Sequence, residues 1–457
     1  MTDLAADVVV VGLGPGGEHV AGVLAEEGLE VVGIEHRLVG GECPYWGCVP
    51  SKMMIRAANA LAETRRVGAL AGAATASSAW SPVAERIRRE ATDDWDDRVA
   101  VERFEGKGGR FIRGQGRLAG PGRVQVGDLE VSARRAVVLN PGTEPAVPPV
   151  PGLAESGYWT NRQAVETEEV PESLVVLGGG AIGLELGQVF SRFGARVSVV
   201  EAAERLLPLE EPEAGELVAR VLESEGVAVR VGAGAASVDG GPASGVRVTL
   251  ADGTLLEGDR LLVATGRRAR LAELGLETVG LDPAGRAVEV DERMRAAPGL
   301  WVIGDVTGKG AFTHMSMYQA GIAVADILGR EGPPARYHAV PRVTFTDPEV
   351  GSVGLTEAEA HSQGVDVVSA LSPLPESARG WIHKVGNDGF IKLVADRRRG
   401  VLVGASSVGP SGGEVLSMLT LAVHAGLGLE VLRSMIYAYP TFHRAVQDAL
   451  DRLGASS

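Results

Sequence analysis

The dominant pattern in this chain is a series of short apolar runs, each closed by glycines. Residues 7–11 run from Asp7 to an apolar stretch ending at Val11; GLGPGG follows, then helical spacing, then a second apolar run ending at Glu35. Residues 174–177 run into GGGAIG, and the next apolar run ends at Glu201. A brief apolar run bounded by glycine predicts a buried strand, and apolar recurrence at three and four residues predicts a helix. Both stretches therefore read strand, glycine loop, helix, strand, acid, with the acid 23 residues after the first glycine in each.

That arrangement suits a dinucleotide. Gly12, Gly14 and Gly17, and again Gly178, Gly180 and Gly183, permit a tight turn, close approach of backbone to a pyrophosphate, and close packing of helix on strand. The helix N-terminus then faces the phosphates, and the carboxylate can accept from a ribose hydroxyl. Two copies predict two dinucleotides. Between them, residues 57–105 carry charged, alanine-rich helical patterns, followed by short strands up to Asn140. The prolines of VPPVPG at 147–152 predict a linker, and a second junction falls near ATGRR at 264–268. From about Pro341 the pattern becomes mixed strand and helix with no glycine fingerprint. The expected fold class is α/β: two Rossmann-like dinucleotide-binding domains plus a C-terminal α+β domain.

Composition narrows the partners. With 63 glycines and 4% aromatic residues in 457, the chain favours close backbone approaches over an aromatic binding surface. A formal charge of -15 argues against a nucleic acid or an acidic membrane surface as partner. No run reaches the roughly 18 apolar residues of a membrane span, and the first residues lack a basic segment and cleavage site. A cytoplasmic protein is expected.

There are two cysteines, Cys43 and Cys48, within GGECPYWGCVPSK. Two are too few for a secreted disulfide framework, and their spacing directs attention to redox or metal chemistry. Zinc normally takes four ligands and the eight histidines show no ligand spacing, so no metal site is expected. Pro50 restrains the turn after Cys48, and Lys52 falls one helical turn beyond it. A helix starting there would aim its positive end at a thiolate. The expectation is an electron relay.

These motifs together resemble the class I pyridine nucleotide-disulfide oxidoreductases, the family of dihydrolipoamide dehydrogenase, glutathione reductase and mercuric reductase. The resemblance rests on GLGPGG, GGECPYWGCVPSK, GGGAIGLELG, ATGRR, VIGDV with AFTH after it, and FTDPEVGSVGLTE at 345–357, and so covers nearly the whole chain. It implies an FAD enzyme that passes electrons from a nicotinamide dinucleotide to Cys43 and Cys48, with Cys48 facing the flavin and Cys43 attacking substrate. It implies FAD contacts at Gly12, Gly14, Gly17, Glu35, Gly116 and Gly142, with Asp305 on the ribityl chain. Ala311 and His314 would lie near the isoalloxazine, and Lys52 by the flavin N5. Gly178, Gly180, Gly183 and Glu201 would hold the nicotinamide dinucleotide, with Glu185 near its ring and Gly266 packing over it. The implied domains are 1–150 and 269–340 for FAD, 151–268 for NAD(P), and 341–457 for dimerisation, giving a homodimer.

One departure bears on the chemistry. The family's disulfide reductases carry a histidine before Pro-Thr and a glutamate that orients it; here YAYPTFHRAVQDAL places Tyr439 and Arg444 at those positions. A tyrosine titrates near pH 10 against about 6.5 for histidine, so the residue type is a poor proton acceptor at neutrality. His443 is the nearby substitute. Phe442, Ala445, Val446, Ala449, Leu450 and Leu453 recur with helical period, which puts His443 at the border of the apolar stripe and Arg444 on the opposite face. The redox loop also holds bulky Tyr45 and Trp46, and Asn140-Pro141 replaces the usual small residues before Gly142. The chain ends in DRLGASS, without the extra C-terminal redox pair of mercuric and large thioredoxin reductases.

Glu201 favours NADH over NADPH, because a carboxylate repels a 2'-phosphate; Arg205, one turn on, is placed to oppose that. The expected activity is electron transfer from NADH through FAD to Cys43 and Cys48, then to a disulfide or other electrophilic small molecule. The alternative is an NADH-dependent quinone, metal-ion or dye reductase that needs no histidine.

Overall fold

The computed structural model describes residues 3–455, and the chain divides into two compact units. Within the described residues, those up to 50, 85–146 and 267–337 form the first, and 51–84, 147–266 and those from 338 onward the second.

The first unit is built on β1 (Asp3–Val11), α1 (Pro15–Glu26) and β2 (Val31–Glu35). β1 pairs in parallel with β2 on one side and with the strand Leu129–Leu139 on the other. Leu300–Val302 and Arg110–Arg113 extend the parallel sheet outward. Val8 and Val10 point into one apolar core with Val20, Leu24 and Ile322, while Val9 and Val11 point into another with Ile34 and Val302. Both faces are buried, which is why these strands read as continuous apolar runs rather than alternating ones.

In the same unit the cysteine loop forms the short helix α2 (Glu42–Tyr45), and α3 (Cys48–Arg66) begins at the second cysteine. The chain passes to the second unit within α3, after Pro50.

The second unit repeats the motif: strand Ser173–Leu177, helix Ala181–Arg192 and strand Arg196–Val200. These belong to a four-stranded parallel sheet completed by Ala228–Arg230 and Arg260–Val263. The strand stops at Val200, so Glu201 lies just beyond it and not on it as the apolar run suggests. The C-terminal part is a five-stranded antiparallel sheet, backed by the helices Gly412–Ala425 and Ala445–Ala455. No helix among the described residues is long and apolar enough to cross a membrane.

The C-terminal stripe is partly corrected. Ala445, Val446, Ala449, Leu450 and Leu453 are buried as the period predicts, but Phe442–Arg444 is a separate 3-10 turn ahead of the helix. Arg444 is therefore not on the helix's opposite face; its guanidinium lies 5.4 Å from the Tyr439 ring centroid and donates to Gln447.

Candidate functional site

In the first unit, Gly12 turns the chain off β1 at φ +89°, where a Cβ would stand 2.2 Å from the Asn140 carbonyl oxygen. A Cβ on Gly17 would stand 2.0 Å from the Gly12 oxygen. Gly14 caps α1, and a side chain there would meet only ordinary contact. The loop thus brings bare backbone and a helix N-terminus to one place. Glu35, at the end of β2, accepts from the backbone N–H of Leu13 (2.9 Å) and Arg37 (2.8 Å). Burial pushes its carboxyl up, but hydrogen bonds from His36, Arg37 and Leu13 outweigh that and hold it below the usual range. It is charged at neutrality. Its stabilising effect is present above the ordinary glutamate pKa and is lost as pH falls through the lowered one. A cleft beside it is lined by Gly12, Glu35, His36, Gly116, Gly142 and Glu144.

Asn140 acts in a way its sequence position concealed. Its Oδ1 accepts from Gly17 N–H (2.8 Å), and its Nδ2 donates to the Ile303 carbonyl (3.0 Å) and Ser316 Oγ (3.2 Å). A polar residue closing the run AVVLN was the available signal. Asp305 accepts from Thr143 Oγ1 (2.8 Å), and Arg267 donates to Thr143 Oγ1 (2.8 Å) and to its carbonyl (2.6 Å). Burial pushes the Asp305 carboxyl up, against the pull of Thr143 and Arg267.

Cys43 is half-buried within α2 and Cys48 is exposed at the start of α3. Cys48 Sγ lies 3.4 Å from Thr313 Oγ1, and Thr313 opens the helix Thr313–Ile327. Two helix N-termini converge on this sulfur, an arrangement that favours negative charge there. Ala311, two residues before Thr313, and His314, directly after it, are exposed, with the His314 ring stacked on Phe312. Tyr45, between the cysteines, is buried; burial, with Asp97 and Glu18 adding, pushes its hydroxyl up to about 12. It keeps its proton at neutral pH.

In the second unit, Gly178 has φ +114° and Cβ room of only 2.3 Å to the Ala264 oxygen; Gly183 has 2.1 Å to the Gly178 oxygen. The first loop's steric logic recurs. At Gly180 no atom lies within 4 Å of a Cβ, and the same holds at Gly266. Glu201 accepts from Gly179 N–H (2.7 Å) and Ala203 N–H (2.8 Å). Arg205 donates to the carbonyls of Pro208 and Glu210, so its terminal nitrogen is spent on its own turn. Lys52 and Glu185, distant in sequence, form an ion pair at 2.8 Å. Glu185 is buried and also accepts from Phe345 N–H (2.8 Å), and the Lys52 Nζ lies 4.5 Å from the Phe345 ring centroid.

Tyr439 is 69% exposed. The His443 Nε2 lies 3.4 Å from Thr441 Oγ1, with its ring 6.2 Å from that of Tyr437. Among the described residues, neither makes a hydrogen bond or ion pair with a carboxylate.

Two glycine cradles with buried or capping carboxylates, and a cysteine pair at helix N-termini, define a flavin- and pyridine nucleotide-dependent oxidoreductase. Comparison with known proteins agrees. Residues 6–322 match the family described as pyridine nucleotide-disulphide oxidoreductase, and residues 340–450 match its dimerisation domain. The chain is 34% identical to a dihydrolipoyl dehydrogenase of Halobacterium salinarum, over 97% of this chain and 95% of that protein. It is 34% identical to a mercuric reductase of Shigella flexneri, over 94% of this chain and 78% of that one. Among solved structures, the Cu(II) complex of the HOCl-induced flavoprotein disulfide reductase RclA from Escherichia coli superposes with a TM-score of 0.86 at 26% identity, covering 99% of both chains. LpdA from Mycobacterium tuberculosis gives 0.85 at 27% identity, over 99% of this chain and 100% of that one. The chain belongs to the pyridine nucleotide-disulfide oxidoreductase family, and it is an NAD(P)H-dependent flavoprotein disulfide oxidoreductase.

Proposed function

We propose that this enzyme uses NADH to reduce the Cys43 and Cys48 couple, and that Cys43 then delivers the electrons to an electrophilic small molecule. The observation that carries this reading is Cys48 Sγ, held at the start of α3 and against Thr313, in the same unit as the Glu35 cradle. The residues of that cradle fit FAD: no room for a Cβ at Gly12 or Gly17, a cleft lined by Gly116 and Gly142, and a carboxylate held ionised. When bound, FAD supplies a two-electron carrier between nicotinamide and sulfur. Glu35 would accept from the adenosine ribose, the N-terminus of α1 would face the pyrophosphate, and Asp305, tied to Thr143, would take the ribityl hydroxyls. Ala311 and His314 would border the flavin ring. Lys52 pairs with Glu185 at 2.8 Å, and Glu185 would face the nicotinamide, with Gly266 packing over it. The domain bounds proposed are 1–150 with 269–340, 151–268, and 341–457, the last pairing two copies.

The acceptor class follows from Tyr439. An exposed tyrosine under the Arg444 guanidinium does not replace a histidine-carboxylate pair, and His443 is turned to Thr441 and Tyr437. Acceptors whose reduction does not depend on a positioned histidine acid-base, such as soft metal ions, or quinones that take their protons from solvent, are favoured over lipoamide or glutathione. The mercuric reductases among its relatives and the Cu(II) complex of RclA support the same class. Anaerobic titration with NADH tests this: the two electrons of the first equivalent should pass through the flavin and expose two alkylatable thiols, and a second equivalent should then bleach the flavin. Turnover should then follow with a metal ion or quinone and be at least about tenfold weaker with lipoamide. Bleaching without new thiols overturns the relay.

Glu201 supports NADH. The kcat/KM ratio of NADH to NADPH should be on the order of a hundred, since a 2'-phosphate meets a carboxylate while Arg205 is engaged elsewhere. Glu201→Ser should narrow that ratio. Gly180→Ala isolates the pyrophosphate contact: the space at its Cβ is open within the protein. Stability should change by no more than about 1 kcal/mol, the worth of an N-cap position. The KM for NADH should rise by about tenfold or more, equal to ~1.4 kcal/mol of binding. An unchanged KM places the pyrophosphate elsewhere.

A further inference from the structure

Asp93, Asp94 and Trp95 have φ values of +49°, +58° and +56°. Aspartate visits the left-handed region through local hydrogen bonds, but a tryptophan there is an outlier, and three such residues in succession are strongly disfavoured for L-amino acids. The turn follows a five-residue π-helix, Ile87–Ala91, a form concentrated at functional sites. Such a backbone persists only where its surroundings over-determine it. Here the buried Thr92 hydroxyl donates toward the Ile87 and Arg88 carbonyls (3.1 Å each) and accepts from Trp95 N–H (3.4 Å). The Asp94 N–H donates to the Arg88 carbonyl at 2.7 Å, and the Asp96 N–H to the Asp93 carbonyl at 3.1 Å.

The turn points two groups at the cysteine loop. The Trp95 indole N–H donates to the Tyr45 carbonyl at 3.3 Å. The Asp97 carboxylate accepts from Val39 N–H at 2.7 Å and is itself held by Arg113 at 2.6 Å. Val39 and Tyr45 bracket Cys43, four residues before it and two after. The Tyr45 ring is buried, so that end of α2 is fastened by its ring and by its carbonyl.

We propose that residues 92–97 are a strained clamp on the redox loop, with Trp95 and Asp97 as positioning residues that set how far the Cys43 segment moves when the couple opens. A relaxed, right-handed turn would carry the indole away from Tyr45. The clamp rests on Cys43 and Cys48 being the redox couple. Neither Trp95 nor Asp97 touches substrate; both act through the backbone that carries Cys43.

The test uses the flavin-loaded enzyme, reduced anaerobically with NADH and pulsed with iodoacetamide, with alkylation of Cys43 and Cys48 resolved by peptide mass spectrometry. Trp95→Phe keeps an aromatic ring and removes the N–H. One neutral hydrogen bond corresponds to about a fivefold change in an equilibrium, so Cys43 should alkylate about five times faster. Asp97→Ala removes a carboxylate acceptor from Val39 N–H and should accelerate Cys43 by about tenfold or more. Trp80→Phe is the control: it removes an indole bond to the Thr167 carbonyl in the other unit and should leave the rate unchanged. Equal rates in Trp95→Phe, Asp97→Ala and the unaltered enzyme overturn the clamp, as does an equal acceleration in Trp80→Phe. If NADH exposes no thiols in the unaltered enzyme, the redox couple itself has failed, a result distinct from the first two.

Discussion

Cys43→Ser is expected to lower turnover with a metal ion or disulfide by on the order of a thousandfold or more, the scale on which a lost nucleophile is felt. Reduction of the bound flavin by NADH should survive. Serine fits the site, because Cys43 is half-buried within α2 and the substitution changes one atom. It cannot share a bond with the Cys48 sulfur, so the couple is lost while the first half-reaction is kept. Stopped-flow absorbance with NADH measures the retained step, and steady-state assays measure the lost one. Quinone turnover separates the two acceptor readings. If it falls with the others, electrons leave through the sulfurs; if turnover with every acceptor survives, the thiol mechanism is wrong.

Gly17→Ala is expected to empty the enzyme of FAD and to destabilise the protein by about 3 kcal/mol, the upper range for a forced core clash together with an unpaired buried amide. The added Cβ would lie 2.0 Å from the Gly12 oxygen and 3.1 Å from Asn140 Oδ1, both on tightly held groups. Gly12 is fixed because its own N–H donates to the Ile34 carbonyl, and Asn140 because its Nδ2 is bound to Ile303 and Ser316. The helix must therefore move, and the bond from Gly17 N–H to Asn140 goes with it. Gly14→Ala is the matched control, since its Cβ meets only Asn140 Oδ1 at 3.4 Å. Flavin content per chain and thermal melts with and without added FAD measure the effect. A Gly17→Ala enzyme that stays yellow with an unchanged melting temperature refutes the cradle.

The contrast between Gly17 and Asn140 marks how far the sequence could be read. Gly17 is legible because its reason is local: glycine, turn, helix and returning strand lie within about thirty residues, the length of one strand-helix-strand unit. The same locality made Gly178, Gly183, Glu35 and Glu201 visible, along with a helix beginning near the cysteines. Asn140 reads only as an odd residue at the end of a strand. Its role comes from Gly17, Ile303 and Ser316, which share no pattern with it. The C-terminal turn misled for a related reason: an apolar stripe of period 3.6 does not say where a 3-10 turn hands over to a helix. Arg444 thus came to lie over Tyr439 and not on the helix's far face.

What the chain determined unaided were the two glycine cradles with their acids and the position of the cysteine pair; the replacement of the family histidine by Tyr439 was legible through the family resemblance. Each depends on spacing within one supersecondary unit or on residue identity. Tertiary structure alone decided that Lys52 meets Glu185, that Thr313 meets Cys48, and that Trp95 grips the Tyr45 carbonyl. Those contacts join segments far apart in the chain, and hydrogen bonds and ion pairs leave no periodic trace in the residues that make them; they follow only from how the packed elements bring them within reach.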